Sequence, residues 1–128
     1  DPEWPPAAGT IQSAHGAVVR YRLHERGGWR FDLDELAALI TSRTRAIYLN
    51  SPNNPTGGVL TRGDLEGVVT LAADRGLWIV SDEAYEDVVF EGEHVSVASL
   101  AGPHERIVSV FTFSKTFKEA ALKAKVKK

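Results

Sequence analysis

The sequence contains no cysteine and no methionine. Without cysteine it can form neither a disulfide nor a thiolate zinc site. With no methionine even at its first position, it reads as a chain that starts inside a longer protein, was processed, or was built. No apolar run approaches the roughly 20 residues of a membrane-spanning helix. The opening Asp1-Pro2-Glu3-Trp4-Pro5-Pro6 has neither the basic start nor the apolar centre of a secretory signal. Charge of one sign is scarce too: 15 basic and 17 acidic residues leave a net charge of −2. That gives no global attraction to nucleic acid or to an anionic membrane. His15, His24, His94 and His104 fall at no metal-ligand spacing, so no metal is expected. A cytoplasmic protein is the default that remains.

What is present is ordinary globular material. The 128 residues are 43% hydrophobic and 25% charged, enough for one domain with a core. The three prolines among the first six residues predict an extended or turning start. Val18 to Leu23 predicts a strand, being β-branched and aromatic, and Gly27-Gly28 a turn. Asp32 or Asp34 can cap a helix carrying Leu33, Leu36, Ala37, Leu39 and Ile40. Ala46 to Leu49 predicts a short buried strand, ending in the turn-rich Asn50-Ser51-Pro52-Asn53-Asn54-Pro55-Thr56-Gly57-Gly58. Thr61, with Asp64 three residues on, predicts a helix start. Leu65, Val68, Val69 and Ala72 continue it at helical spacing, and Gly76 stops it. Leu77 to Val80 is a further buried strand, Ala98 to Arg106 is loop-like, and Ile107 to Phe113 is a fourth strand. The Ala/Lys-rich residues 118–128 favour helix, with Glu119 and Lys123 paired. That tail has no interleaved aromatic residues, so it reads as a solvated helix face and not as a nucleic-acid-binding surface. Strands alternating with helices imply an α/β fold, a three-layer α/β/α sandwich with a mainly parallel sheet.

Polar motifs directly follow three of the strands. In an open parallel sheet, ligands bind beyond the carboxyl ends of the strands, so these motifs are expected to meet on one edge. Lys115 lies just past a buried strand, where desolvation can lower an amine's pKa as a Schiff-base lysine requires. Asp82 can hold a protonated aromatic nitrogen. Asn54 and Tyr85 are neutral donors suited to a phenolate-type oxygen, and Thr112 and Ser114 offer hydroxyls to a phosphate. Together these are the groups that pyridoxal 5'-phosphate needs.

The motifs also carry a family resemblance. Asn53-Asn54-Pro55-Thr56-Gly57 resembles the N-P-T-G motif of class I/II, fold-type-I aminotransferases. Asp82-Glu83-Ala84-Tyr85 resembles their D-E-x-Y motif, and Thr112-Phe113-Ser114-Lys115 their S/T-x-S-K motif. The spacing is similar as well, with 28 positions from Asn54 to Asp82 and 33 from Asp82 to Lys115. Asp1-Pro2-Glu3-Trp4 is similar to the segment that supplies an aromatic stacking residue. The likeness runs from Asp1 to Phe117, a partial large domain, with residues 118–128 as a tail outside it.

The resemblance implies an enzyme that moves an amino group between an amino acid and a 2-oxo acid. Lys115 would be the Schiff-base lysine that also shuttles the proton. Asp82 would pair with the pyridine nitrogen, and Asn54 and Tyr85 with the 3-hydroxyl oxygen. Trp4 would stack on the ring, and Thr112 would bind the phosphate with Ser114 as helper. Glu83 neighbours Asp82 on a strand, so the two face opposite ways and are not an acid/base pair. The family's glycine/serine phosphate loop, its G-W-R-x-G segment and its small domain are not in this sequence, which implies weak cofactor affinity. A homodimer is implied because the family's site forms at a subunit interface. Two alternatives stand beside this reading. One is a non-catalytic minimal cofactor-binding or structural domain. The other is a pyridoxal-phosphate-dependent lyase or synthase on the same scaffold.

Overall fold

A computed structural model describes residues 1–100, 102, 106–112 and 115. The elements in order are α1 (Pro5–Ser13), α2 (Leu33–Ala38), β1 (Ala46–Asn50), α3 (Arg62–Arg75), β2 (Trp78–Asp82) and β3 (Ile107–Val110), with short 3-10 turns at Glu25–Gly27 and Val97–Leu100. The three strands form one parallel sheet in the order β1-β2-β3. This is the expected α/β frame.

The best-formed helix is the one whose ends the sequence marks most clearly. Thr61 caps α3 in a reciprocal box. The Asp64 amide donates to Thr61 Oγ1 at 3.2 Å and the Thr61 amide to Asp64 Oδ2 at 2.8 Å. Gly76 closes the helix in the left-handed region at φ 64°, where a side chain is disfavoured. Leu65, Val68 and Ala72 lie on its buried face. In α2 the cap is Asp32, whose side chain accepts from the amides of Asp34 and Glu35. Replacing Thr61 with alanine strands one orphan amide of α3 and is expected to cost about 1 kcal/mol (roughly 0.5–2) of stability in a denaturant titration.

The strands alternate as a one-sided layer. Ile47, Leu49, Ile79 and Ser81 are buried. The three apolar ones pack with Leu65, Val68, Ala72 and Val97 into the core. On the other face Trp78 is 45% exposed, Val108 44% and Val110 48%. That face is open at these three positions.

Three local expectations are corrected. Residues 1–4 are extended, but Pro5 and Pro6 begin α1 instead of continuing a turn. Proline lacks only an N–H that a first turn leaves unpaired anyway, and its fixed φ suits the helix. Val18 to Leu23 is extended but is not a strand. Strand propensity needs a neighbouring backbone. This segment's backbone partners are the Asp1 ammonium on the Tyr21 carbonyl and the Asp1 carbonyl, which accepts from the Leu23 amide at 3.1 Å. The expected turn follows, with an isolated bridge joining His24 to Arg30. The fourth strand ends earlier than expected, at Val110. Loop-like 98–106 includes part of the Val97–Leu100 turn. The expected helix over 118–128 lies outside the described residues.

Candidate functional site

β1 and β2 end together. Asn50 is in register with Asp82, and Asp82 with Val110 of β3. The loops that leave these three positions carry the motifs, so the expected edge is assembled at the carboxyl end of the sheet.

Asn50 organises the first loop. Its Nδ2 donates to the Asp82 carbonyl at 3.1 Å, and its Oδ1 accepts from the Asn54 amide at 2.8 Å. Asn53 closes the turn. Its Oδ1 accepts from the Thr56 hydroxyl at 2.8 Å, and its amide donates to the Gly58 carbonyl at 2.8 Å. The buried Ser51 hydroxyl accepts from the Leu60 amide at 3.0 Å, tying the loop to the start of α3. The Ser51–Pro52 and Asn54–Pro55 bonds within it are cis. With its backbone held in this way, Asn54 is half-buried and its side-chain amide makes no hydrogen bond among the described residues.

Asp82 presents its carboxylate on the open face of the sheet. Oδ2 accepts from the Tyr48 hydroxyl at 2.9 Å and Oδ1 from the Ala84 amide at 3.1 Å. Burial, then the hydrogen bond to Asp82 and that carboxylate's charge, push the Tyr48 phenol above its ordinary range, so it stays a donor. Tyr21 supports Tyr48 from the sheet edge, donating to its carbonyl at 2.8 Å. Burial and then the charge of Glu3 keep Tyr21 protonated too. Glu83 points the other way and is 1% exposed in the core. The expected separation of Asp82 and Glu83 onto opposite faces holds.

Tyr85 and Lys115 are brought together, with Lys115 Nζ 5.2 Å from the Tyr85 ring centroid, within cation–π range. Lys115 is exposed. The desolvated setting expected for it is absent, because it stands exposed at a helical position five residues past β3 and not against the strand's buried face. Trp4 caps α1 at 43% exposure and lines a cleft with Tyr21, Tyr48, Asn50 and Asn53. Thr112 is half-buried two residues past β3. Ser114 lies outside the described residues. Among the described residues, no cluster of His, Asp and Glu side chains could hold a metal ion, and no helix is long and apolar enough to cross a membrane.

Tyr48 and Asn50 were not anticipated as site residues. Their signal was available, since they stand two apart on β1 and therefore share the face on which Asp82 sits in the neighbouring strand. Reading Ala46 to Leu49 simply as an apolar run hid the polar tip of Tyr48.

The sequence matches the family model "Aminotransferase class I and II" over residues 1–123. It is 45% identical over 105 residues to aromatic-amino-acid aminotransferase 2 of Thermococcus litoralis, an alignment covering 81% of this chain and 27% of that protein. It is 42% identical over 111 residues to the arginine–pyruvate transaminase AruH of Pseudomonas aeruginosa, covering 84% and 28%. The fold superimposes on an aromatic aminotransferase from Pyrococcus horikoshii OT3 with a TM-score of 0.87 at 40% identity, covering 91% of this chain and 32% of that one. The chain thus spans less than a third of the length of each of these relatives. Members of this family use pyridoxal 5'-phosphate. With its motifs in family order on a shared α/β frame and the family model matched over nearly its whole length, the chain belongs to the class I and II aminotransferases.

Proposed function

We propose that the protein represented by this chain transfers an amino group between an amino acid and a 2-oxo acid through pyridoxal 5'-phosphate, as a cytoplasmic homodimer, with Lys115 as the covalent anchor. The observation that carries this reading is the shared edge. Asp82, the Asn54 loop and the Tyr85–Lys115 pair all leave the carboxyl ends of adjacent parallel strands.

The chemistry of the donor set fits the cofactor. An ionised carboxylate has about four acceptor positions, and the described bonds to Asp82 come from the Tyr48 hydroxyl and the Ala84 amide. That leaves capacity for an N–H from a ring. The Asn54 side-chain amide makes no hydrogen bond among the described residues and can donate to a ring oxygen, as can the Tyr85 hydroxyl. Bound here, the cofactor supplies an electron sink for charge that develops on a substrate carbon. In this reading Asp82 keeps the ring nitrogen protonated by its charge, and Asn54 and Tyr85 orient the ring through its oxygen. Trp4 covers a ring face, and Thr112 and Ser114 donate to the phosphate. Lys115 Nζ takes and returns the proton at the substrate α-carbon.

The test is to add pyridoxal 5'-phosphate to the chain, reduce with borohydride and map the modified residue. Attachment concentrated at Lys115 supports the reading. Attachment spread over the tail lysines, or none, sinks it. An adduct at Lys115 without amino-group exchange would favour the minimal cofactor-binding domain. Replacing Asp82 with asparagine removes the charge opposite the ring nitrogen. An opposite charge nearby shifts a pKa by about 1–3 units, so binding is expected to weaken about tenfold to a thousandfold in a cofactor titration.

A further inference from the structure

The mechanism above makes no use of the most buried charged group among the described residues. Glu83 is 1% exposed, yet both its carboxylate oxygens are taken. Oε2 lies 2.9 Å from His94 Nε2, and Oε1 accepts from the Ser109 hydroxyl at 2.8 Å. Its amide donates to the Val110 carbonyl at 2.9 Å. Glu83 therefore joins the end of β2 to the end of β3 and to a segment returning from outside the sheet.

Ser96, two residues beyond His94, adds a hydroxyl to the same carboxylate, and Asp87 has a partner of its own. Between Asp87 and His94 little else is directional. The turn after Glu83 is closed by the Glu86 amide on the Glu83 carbonyl and the Val88 amide on the Tyr85 carbonyl, at 3.0 and 2.8 Å. Residues 89–95 then make no backbone hydrogen bond among the described residues, and Phe90 at the tip is 92% exposed. Val95 and Val97 anchor the chain beyond by apolar packing, which is not directional. The His94 side chain is 11% exposed, and its Nδ1 has no hydrogen-bond partner among the described residues. The orientation of its ring is thus set through Nε2, by Glu83.

The loop that this contact closes carries Tyr85, whose ring faces Lys115. We propose that His94 is a positioning residue for the site: by clasping Glu83 it holds residues 84–94 so that Tyr85 is presented to Lys115. The proposal rests on the reading of Lys115 and Tyr85 given above. Glu83 stands next to Asp82, so the same clasp fixes the end of β2 from the core side while Asp82 works on the other face.

The experiment compares the parent chain with His94→Leu, which lacks a donor, and His94→Gln, which keeps an N–H able to reach a carboxylate. Without cofactor, amide hydrogen exchange is followed by residue. A hydrogen bond to a charged group restrains local opening, so exchange over residues 84–88 is expected to quicken about tenfold to a hundredfold in His94→Leu. Exchange in α3 and β1 should stay at the parent rate, and His94→Gln should restore protection. With cofactor, the pH at which the bound absorbance changes is expected to move in His94→Leu and return in His94→Gln, because that pH reports the donors on the ring oxygen. Parent-like exchange over 84–88 in folded His94→Leu overturns the proposal. So does a uniform acceleration across the whole chain, which would mark a merely structural role. Should His94→Leu fail to fold, His94→Asn, polar but too short to reach Glu83, takes its place. Local acceleration over 84–88 then supports the clasp, and parent-like or uniform exchange overturns it. No Lys115 adduct on the parent chain would sink the reading of the site and the role of His94 toward the cofactor. The exchange comparison would still judge the clasp itself.

Discussion

Replacing Glu83 with alanine is expected to cost the fold about 3–5 kcal/mol, read as a lowered urea midpoint at an unchanged slope. The size follows from what is left behind. Glu83 is 1% exposed and bonded to both His94 and Ser109, so its removal strands two half-buried polar groups and opens a cavity. A domain of this kind holds only about 5–15 kcal/mol in all, which makes this one side chain decisive. Replacing both partners, Glu83→Leu with His94→Leu, is expected to cost less than Glu83→Ala alone, since the paired groups leave together.

The same residue sets an acid limit. Burial pushes the Glu83 carboxyl up, but hydrogen bonds from His94, Ser109, Ser96 and Ser81 together outweigh it and hold the group below its ordinary value. A carboxyl with a depressed folded pKa contributes stability that is present above its unfolded pKa of about 4.3 and lost as pH falls through the folded value. Stability of the parent chain should therefore decline below about pH 4.3. The Glu83→Ala chain, lacking that carboxyl, should decline less steeply, and equal slopes in acid denaturation would contradict this account.

Glu83 also marks where the sequence stops being readable. That Asp82 and Glu83 face opposite ways follows from strand geometry alone. The partner of Glu83, His94, comes from an irregular segment with no periodicity to locate it. A loop's return point is decided by tertiary contact, and no local pattern encodes it. By contrast, α3 was legible from end to end, because its capping box and its glycine stop are local chemistry. The sheet was legible through its apolar runs and the turn formers after each. Residues 5–13 and 18–23 failed for complementary reasons. Proline is read as a breaker, although at a first helical turn it breaks nothing, so α1 was missed. β-branched residues are read as strand, although without a neighbouring backbone they remain merely extended. In the site, the motif residues Asn54, Asp82, Tyr85 and Lys115 could be named because they lie at or just past the ends of apolar strands. Tyr48 could not, since within a strand a tyrosine reads as bulk until the neighbour that takes its hydroxyl is known.

Replacing Lys115 with alanine is expected to abolish borohydride-stable attachment of pyridoxal phosphate at the site, a complete loss where the parent gives a mapped adduct. The placement of the other amines makes this a clean test. No lysine precedes Lys115, and the remaining ones, Lys118, Lys123, Lys125, Lys127 and Lys128, all follow it near the C-terminus. Every earlier cationic side chain apart from histidine is an arginine, whose guanidinium stays protonated and offers no free amine. The concrete competitor is the Asp1 α-amine. Burial, with the charges of Arg20 and Arg22, lowers its pKa against the opposing pull of Glu3, so more of it is neutral and nucleophilic. Asp1 also lines the same cleft as Trp4 and Tyr48. Adduct on Asp1 should persist in Lys115→Ala, whereas adduct on Lys115 should vanish, and peptide mapping separates the two. Lys115→Arg divides the remaining question. Arginine keeps a cation over the Tyr85 ring but cannot form the bond. If Lys115 acts as the covalent anchor, Lys115→Arg traps no more than Lys115→Ala. If the lysine served only as a charge near Tyr85, Lys115→Arg would keep the parent's labelling, carried by other amines, where Lys115→Ala would lose it, and the anchor assignment would fall.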